Sequence, residues 1–395
     1  MIEAVHSNIY LIASLMLLLG FIFGRLLKKV GLTEVLAYIL AGILIGPVLK
    51  FNIPNWFNSV VTSITLSFVA YMVGLSFSYK FLRKMGKKVI TILVVEVIIT
   101  SLVVWAIVFI FTKNLPLSII LGSLAPATAP AGTIAVIRDL KAKGSLTDVS
   151  IAIVGLDDAA GIIIYSFGIV LTKSLLGGNV NIKAFVFRPL WEIFGAILLG
   201  ITIGFIVSFI TNRAKKLSSD HIFIITIGVV VLSWGIAQVI GVSAILTCMI
   251  FGMVMINFNN SISNRSNKLI DNIMSPIFIL FFAAIGTQID FSKFWGMIGL
   301  VLIYCIGRSI GKVLGCGLGG ILSHSESKIT KYLGIALLNQ AGVAVGLAFL
   351  AAQELSAYPM GALIPTLMAT TTAVFQILSP LGTQYALKKS GESTI

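Results

Sequence analysis

The sequence predicts an all-α polytopic membrane protein of about thirteen transmembrane helices, built as inverted six-helix repeats with two crossed discontinuous helices. Three observations predict it: an apolar composition, an alternation of basic and base-poor loops, and two matched interruptions in otherwise apolar helices. Hydrophobic residues make up 58% of the 395-residue chain and charged residues 11%. No soluble fold covers that much apolar surface, whereas a helical bundle exposes it to lipid.

Apolar windows of about 20 residues place helices over residues 8–26, 33–49, 59–79, 88–112, 116–137, 147–172, 187–211, 221–239, 241–257, 273–287, 294–322, 329–354 and 360–387. The first has its bases, Arg25, Lys28 and Lys29, after it and no small-residue cleavage site, so it reads as a retained span rather than a signal peptide. The second opens near Glu34, where an acid suits the positive end of a helix dipole. A basic loop, Lys80 to Lys88, separates the third and fourth helices and faces anionic lipid. The fifth is interrupted, the sixth carries two acids, and the seventh, with Glu192 near its start, links the repeats. Only the neighbourhood of Gly241 divides the eighth from the ninth. The eleventh carries Gly307, Gly311, Gly315 and Gly319, a spacing that lets a neighbouring helix approach closely. The twelfth is interrupted like the fifth, and the thirteenth ends in a short tail, 389–395.

Loop charge supports the count. With the bases at the adjoining helix ends included, the odd-numbered loops and the C-terminus hold 20 Lys and Arg, and the even-numbered loops and the N-terminus hold 6. The positive-inside rule then sets the N-terminus outside and the C-terminus in the cytoplasm, for a multi-pass protein of the cytoplasmic (inner) membrane. The net charge of +14 is that of short loops between apolar runs, so the expected partner is the lipid bilayer and not nucleic acid. Cys248, Cys305 and Cys316 lie in apolar spans without CxxC spacing, which indicates neither a disulfide framework nor a zinc site. His6, His221 and His324 fall at helix ends or loops and form no proton relay.

The repeat is inferred from topology and from two irregular segments. Thirteen helices divide as six, a linker and six, and helices seven places apart then run in opposite directions. The fifth contains LAPATAPAGT, with Pro126, Pro130 and Gly132; its counterpart, the twelfth, contains NQAGVAVG from Asn339. Proline removes a backbone donor and glycine loosens the turn, so both segments are expected to unwind near mid-membrane and free N–H and C=O groups.

Asp157 and Asp158 stand side by side within the apolar stretch Thr147–Thr172. A carboxylate at bilayer depth needs water, a cation or a proton to compensate it, so an intramembrane acid marks a functional site. Carboxylate, hydroxyl and freed carbonyl oxygens suit a hard monovalent cation. If a proton and a cation cannot occupy one carboxylate together, and the empty charged site cannot cross, their fluxes are coupled.

Three segments resemble bacterial sodium/proton antiporters of the monovalent cation:proton antiporter superfamily, in the paired-aspartate branch: GLDDAAGIII around Asp157 and Asp158, ATAPAGTIAVIRDLKAKG from Ala127, and IGKVLGCGLGG from Ile310. The resemblance covers essentially the whole chain. It implies that Asp158 is the principal cation ligand and proton carrier and Asp157 a second titrating group. It implies that Lys312 pairs with Asp157 and releases it when sodium arrives, and that Thr128 and Thr133 lie near the ion. It implies a homodimer with a scaffold module, 1–85 and 186–287, and a moving core, 86–175 and 293–388. No cofactor is implied beyond the transported Na+ or Li+ and H+. Two carboxylates and a lysine further suggest electrogenic exchange, the second proton coming from Lys312 or Asp157.

The chain also departs from that pattern. Arg308 stands one turn before Lys312, and Glu96 is an additional acid in the fourth helix. These helices are counterparts, so Glu96 and Arg308 are expected to meet as a structural ion pair. On the twelfth helix the polar residues are Asn339 and Gln340.

Other classes fit less well. An intramembrane aspartyl protease needs facing carboxyls, but helix neighbours point about 100° apart, and no HExxH motif is present. A sodium-coupled symporter needs a polar pocket beyond the ion site, and a channel has no need of a titrating pair. Potassium/proton exchange or efflux is the nearest alternative, because cation choice depends on cavity size. The short tail speaks against a nucleotide-binding regulatory domain and thus against ligand-gated potassium efflux.

Overall fold

The computed structural model describes residues 8–29, 34–75, 77–128, 133–134, 136–137, 140–177, 182–213, 218–287, 291–340 and 342–393. Its helices are α1 (Ile9–Lys29), α2 (Glu34–Ile43, continued by a π-turn over Leu44–Val48), α3 (Asn55–Leu75), α4 (Tyr79–Thr112), α5 (Leu115–Leu124), α6 (Ser145–Leu176) and α7 (Ile182–Arg213). They continue as α8 (Ser219–Ile240), α9 (Ala244–Phe258), α10 (Asn260–Thr287), α11 (Phe291–Leu322), α12 (Ser327–Ala336), α13 (Gly342–Glu354) and α14 (Ile364–Lys389). Among the described residues no strand is present. Eight of these helices are long and apolar enough to cross a membrane alone, α14 crosses as a bent pair, and shorter apolar helices occupy the other places. Each predicted crossing therefore has its helix in order, with α12 and α13 forming the twelfth.

Local chemistry explains the ends. Asn114 caps α5 by accepting from the Leu117 N–H at 3.0 Å, with Pro116 in the first turn where its missing donor is harmless. Gly241, at φ 72°, closes α8 in the left-handed conformation, and Ser243 caps α9. The basic stretch expected as a loop over Lys80–Lys88 is instead the first part of α4, set off by Gly86 at φ 75°. The tenth helix begins at Asn260, well before its apolar part, because a polar, partly exposed segment extends it.

Glycines show the inverted repeat in packing. On α2 and α10, Gly42 and Gly286 meet the backbone carbonyls of Ala283 and Ile39. On α9 and α3, Gly252 and Gly74 meet those of Tyr71 and Met249 in the same way. Shifting by seven helices converts the first pair into the second, so one contact serves both repeats. The helices α4 and α11 are each other's counterparts and run antiparallel. A Cβ on Gly311, Gly315 or Gly319 would stand 2.9, 2.8 and 2.8 Å from the Cα atoms of Thr100, Glu96 and Ile92. That seam brings the α4 backbone against α11 and sets the depth of every polar side chain between them.

Candidate ion-exchange site

The two interrupted helices come together at Arg308 of α11. The helix α5 ends at Leu124 and α12 at Ala336, and the following residues leave their carbonyls without helical partners. Pro130 and Gly132 lie outside the described residues. Arg308 takes up the freed acceptors: Nε donates to Ala125 O at 2.8 Å, Nη1 to Leu338 O at 2.6 Å, and Nη2 to Ala127 O at 3.0 Å and Asn339 O at 3.2 Å. Its guanidinium also lies 4.6 Å from the Phe375 ring centroid. One fully buried side chain thus ties both breaks together.

One turn on, Lys312 is equally buried. Its Nζ donates to Pro126 O, to Thr128 Oγ1 at 2.7 Å and to Asp157 Oδ2 at 2.9 Å, and forms an ion pair with Glu96 Oε1 at 2.8 Å. Thr128 donates its hydroxyl to Asp157 Oδ2. Thr100, one turn after Glu96, donates to Glu96 Oε1 at 2.9 Å. Glu96, Asp157, Arg308 and Lys312 have no exposed surface, whereas Asp158 is half-buried. Among the described residues Asp158 makes no hydrogen bond or ion pair. Two carboxylate oxygens, Glu96 Oε2 and Asp157 Oδ1, are buried with no hydrogen-bond partner among the described residues.

The ion pair expected between Glu96 and Arg308 is not formed. Gly315 lets Glu96 approach α11 next to Lys312, and the planar five-donor guanidinium fits the fan of carbonyls that a lysine cannot span. Thr133 is placed at the other break, its hydroxyl 3.4 Å from Ala336 O. Asn339 offers Arg308 its carbonyl, and Gln340 donates to the Tyr304 hydroxyl at 3.0 Å. Sequence reasoning missed Thr100, for which the four-residue spacing from Glu96 was the available signal. It also missed the carbonyls of Ala125, Ala127 and Leu338, which carry no side-chain signature.

Both ends of α6 are fastened to the second repeat. Glu392, after α14, accepts from the N–H groups of Leu146 and Thr147 at 2.9 and 2.8 Å and from the Thr147 hydroxyl at 2.9 Å, and pairs with Lys328 at 2.8 Å. Burial pushes its carboxyl up, but the bonds from Lys328, Leu146 and Thr147 outweigh burial and hold it below its ordinary value. A Cβ on Gly144, at φ 153°, would strike that carboxyl. At the other end Lys173 of α6 pairs with Glu354 of α13.

Among the described residues no cluster of His, Cys, Asp and Glu has the form of a resident metal site. What the arrangement offers is a partly accessible carboxylate beside a buried, lysine-bound one, with hydroxyl and carbonyl oxygens around them. Oxygen ligands of this kind suit a hard cation, and a carboxylate among them can take a proton instead.

A family model described as sodium/hydrogen exchanger, transmembrane, matches residues 12–389. The ammonium/H+ antiporter subunit AmhT of Alkalihalophilus pseudofirmus is 24% identical over 388 residues, covering 96% of each chain. An Na+/H+ antiporter of Enterococcus hirae is 20% identical over 340 residues, covering 85% of this chain and 87% of that protein. The solved sodium proton antiporter MjNhaP1 of Methanocaldococcus jannaschii shares the fold, with a TM-score of 0.74 at 18% identity over 96% of each chain. Matched over nearly its whole length, this multi-pass membrane chain belongs to the sodium/hydrogen exchanger family.

Proposed function

We propose that the chain is a secondary antiporter of the cytoplasmic membrane that exchanges Na+, and also Li+, for protons by alternating access. The observation that carries the reading is Asp158: a half-buried acid without a hydrogen bond or ion pair among the described residues, next to a carboxylate already neutralised by Lys312. A cation entering there meets one uncompensated charge, and a proton satisfies the same charge. Thr128 and Asp157 complete the oxygen ligands once Lys312 yields. Exchange moves more protons than cations, the N-terminus lies outside, and the C-terminus lies in the cytoplasm.

The mobile core comprises 86–175 and 293–388, and the scaffold, 1–85 and 186–287, forms a homodimer. The latches from α6 to Glu392 and to Glu354 support a core that moves as one body. The test is a pH dye in proteoliposomes on adding Na+, Li+, K+ or ammonium, the last because AmhT is named for it. Dequenching with sodium supports the reading. A response to potassium alone supports the alternative of potassium/proton exchange, and no response to any cation overturns antiport.

A further inference from the structure

The charges buried around the two breaks do not balance in pairs. Arg308 donates all its hydrogen bonds to carbonyls just past the C-terminal ends of α5 and α12. Each helix end carries about half a negative charge, so the two ends together offset the guanidinium. Arg308 is therefore committed to these carbonyls and forms no ion pair with a carboxylate among the described residues. Lys312 is left to serve two acids, with Nζ 2.8 Å from Glu96 and 2.9 Å from Asp157. All three side chains have no exposed surface.

Two carboxylates around one ammonium would leave a net negative charge in a medium that cannot solvate it. The group is stable when it holds one proton more, and its two titrating acids then behave as a coupled unit. Of the two acids, Glu96 is the one on a helix that carries none of the proposed cation ligands, and its Oε2, like Asp157 Oδ1, accepts no hydrogen bond from any described residue. The other groups facing it are Thr100 on its own helix and Lys312, Arg308 and Cys316 on α11.

Resting on the antiport reading above, we propose that Glu96 carries the second proton of the exchange cycle. It is neutral while Lys312 holds Asp157, and it gives up its proton when a cation takes over Asp157 and Lys312 shifts fully to Glu96. Lys312 bridges the two acids and is the route for that proton. It passes one proton toward Asp157 and the accessible side and takes the Glu96 proton in return, ending as it began. Per cycle one cation enters and two protons leave, one from Asp158 and one from Glu96, so the site loses one unit of positive charge. The second proton, expected from Lys312 or Asp157 on sequence grounds, thereby acquires a source that leaves the lysine charged throughout.

The test counts charge and not rate, because a merely structural Glu96 would change rate without changing stoichiometry. In purified wild-type protein, a pH indicator should register two protons released per sodium bound. In proteoliposomes without a pH gradient, a membrane potential should drive sodium uphill. Glu96→Gln should release one proton and exchange under a pH gradient while losing the response to voltage. Glu96→Asp, which restores an acid, should recover both. A Glu96→Gln variant that keeps the wild-type count and voltage response overturns the proposal. A single proton released by the wild type overturns it too, and that measurement decides the matter if Glu96→Gln does not fold. A wild type that releases no proton with any cation of the panel refutes the antiport reading itself, a different outcome.

Discussion

Replacing Arg308 by lysine keeps the charge and removes the geometry. The guanidinium donates to four carbonyls, two on each interrupted helix. An ammonium on a shorter donor arc reaches the carbonyls of one break, so about two of the four charge-assisted hydrogen bonds are lost. At about 1.5–3 kcal/mol each, the loss is about 3–6 kcal/mol, a large share of the stability of a folded domain. With a shift of about 2 °C per kcal/mol for a large chain, the unfolding temperature should fall by about 6–12 °C. The assay is the loss of the monodisperse peak on size exclusion after heating detergent-solubilised protein, read as an operational half-unfolding temperature because unfolding of such a protein is irreversible. Arg308→Met should fall at least as far, since it loses the charge that offsets the two helix ends. A lysine variant within about 1 °C of wild type would show that water or another donor serves these carbonyls, and the crossing would owe nothing to the guanidinium.

Other substitutions probe the surrounding parts. Asp158→Asn should abolish sodium-driven proton flux at wild-type abundance and thermal stability, because the residue makes no hydrogen bond or ion pair with a described partner; full flux in proteoliposomes would remove it from the site. Gly315→Leu should separate α4 from α11, with a stability loss of about 3 kcal/mol or more and weakened exchange, measured by heating and dye dequenching; wild-type values would mean that the seam tolerates a side chain. Glu392 is held below its ordinary carboxyl value of 4.5, so its stabilisation is fully present above about pH 4.5 and is lost as pH falls through the lower folded value. Wild type and Glu392→Gln should therefore differ in unfolding temperature at neutral pH and converge in acid, and a difference that persists or grows in acid would contradict this sign.

Much of this was legible in the sequence for a physical reason: lipid demands long apolar helices, and loop charge then fixes their number and sequence. The same logic located both breaks, from Pro126 in one and from the glycines after Asn339 in the other. The pairing of buried charges was not legible. Topology brought Glu96 and Arg308 to counterpart helices, which made an ion pair between them reasonable. The outcome turned on which residue the Gly315 contact sets opposite Lys312, and on backbone carbonyls that no residue type announces. The Glu392 cap was hidden similarly, because a lone acid after the last helix looks like any solvated tail residue.

That cap has a consequence for biogenesis. Leu146 and Glu392 are separated by 246 positions in the chain. At about 5–20 residues per second of synthesis, α6 enters the bilayer about 10–50 s before its capping carboxylate exists. Throughout that interval the first amides of the helix that carries both aspartates are served by water or lipid headgroups. Closure of the cap therefore marks the moment at which the second repeat has been laid down and has found the first.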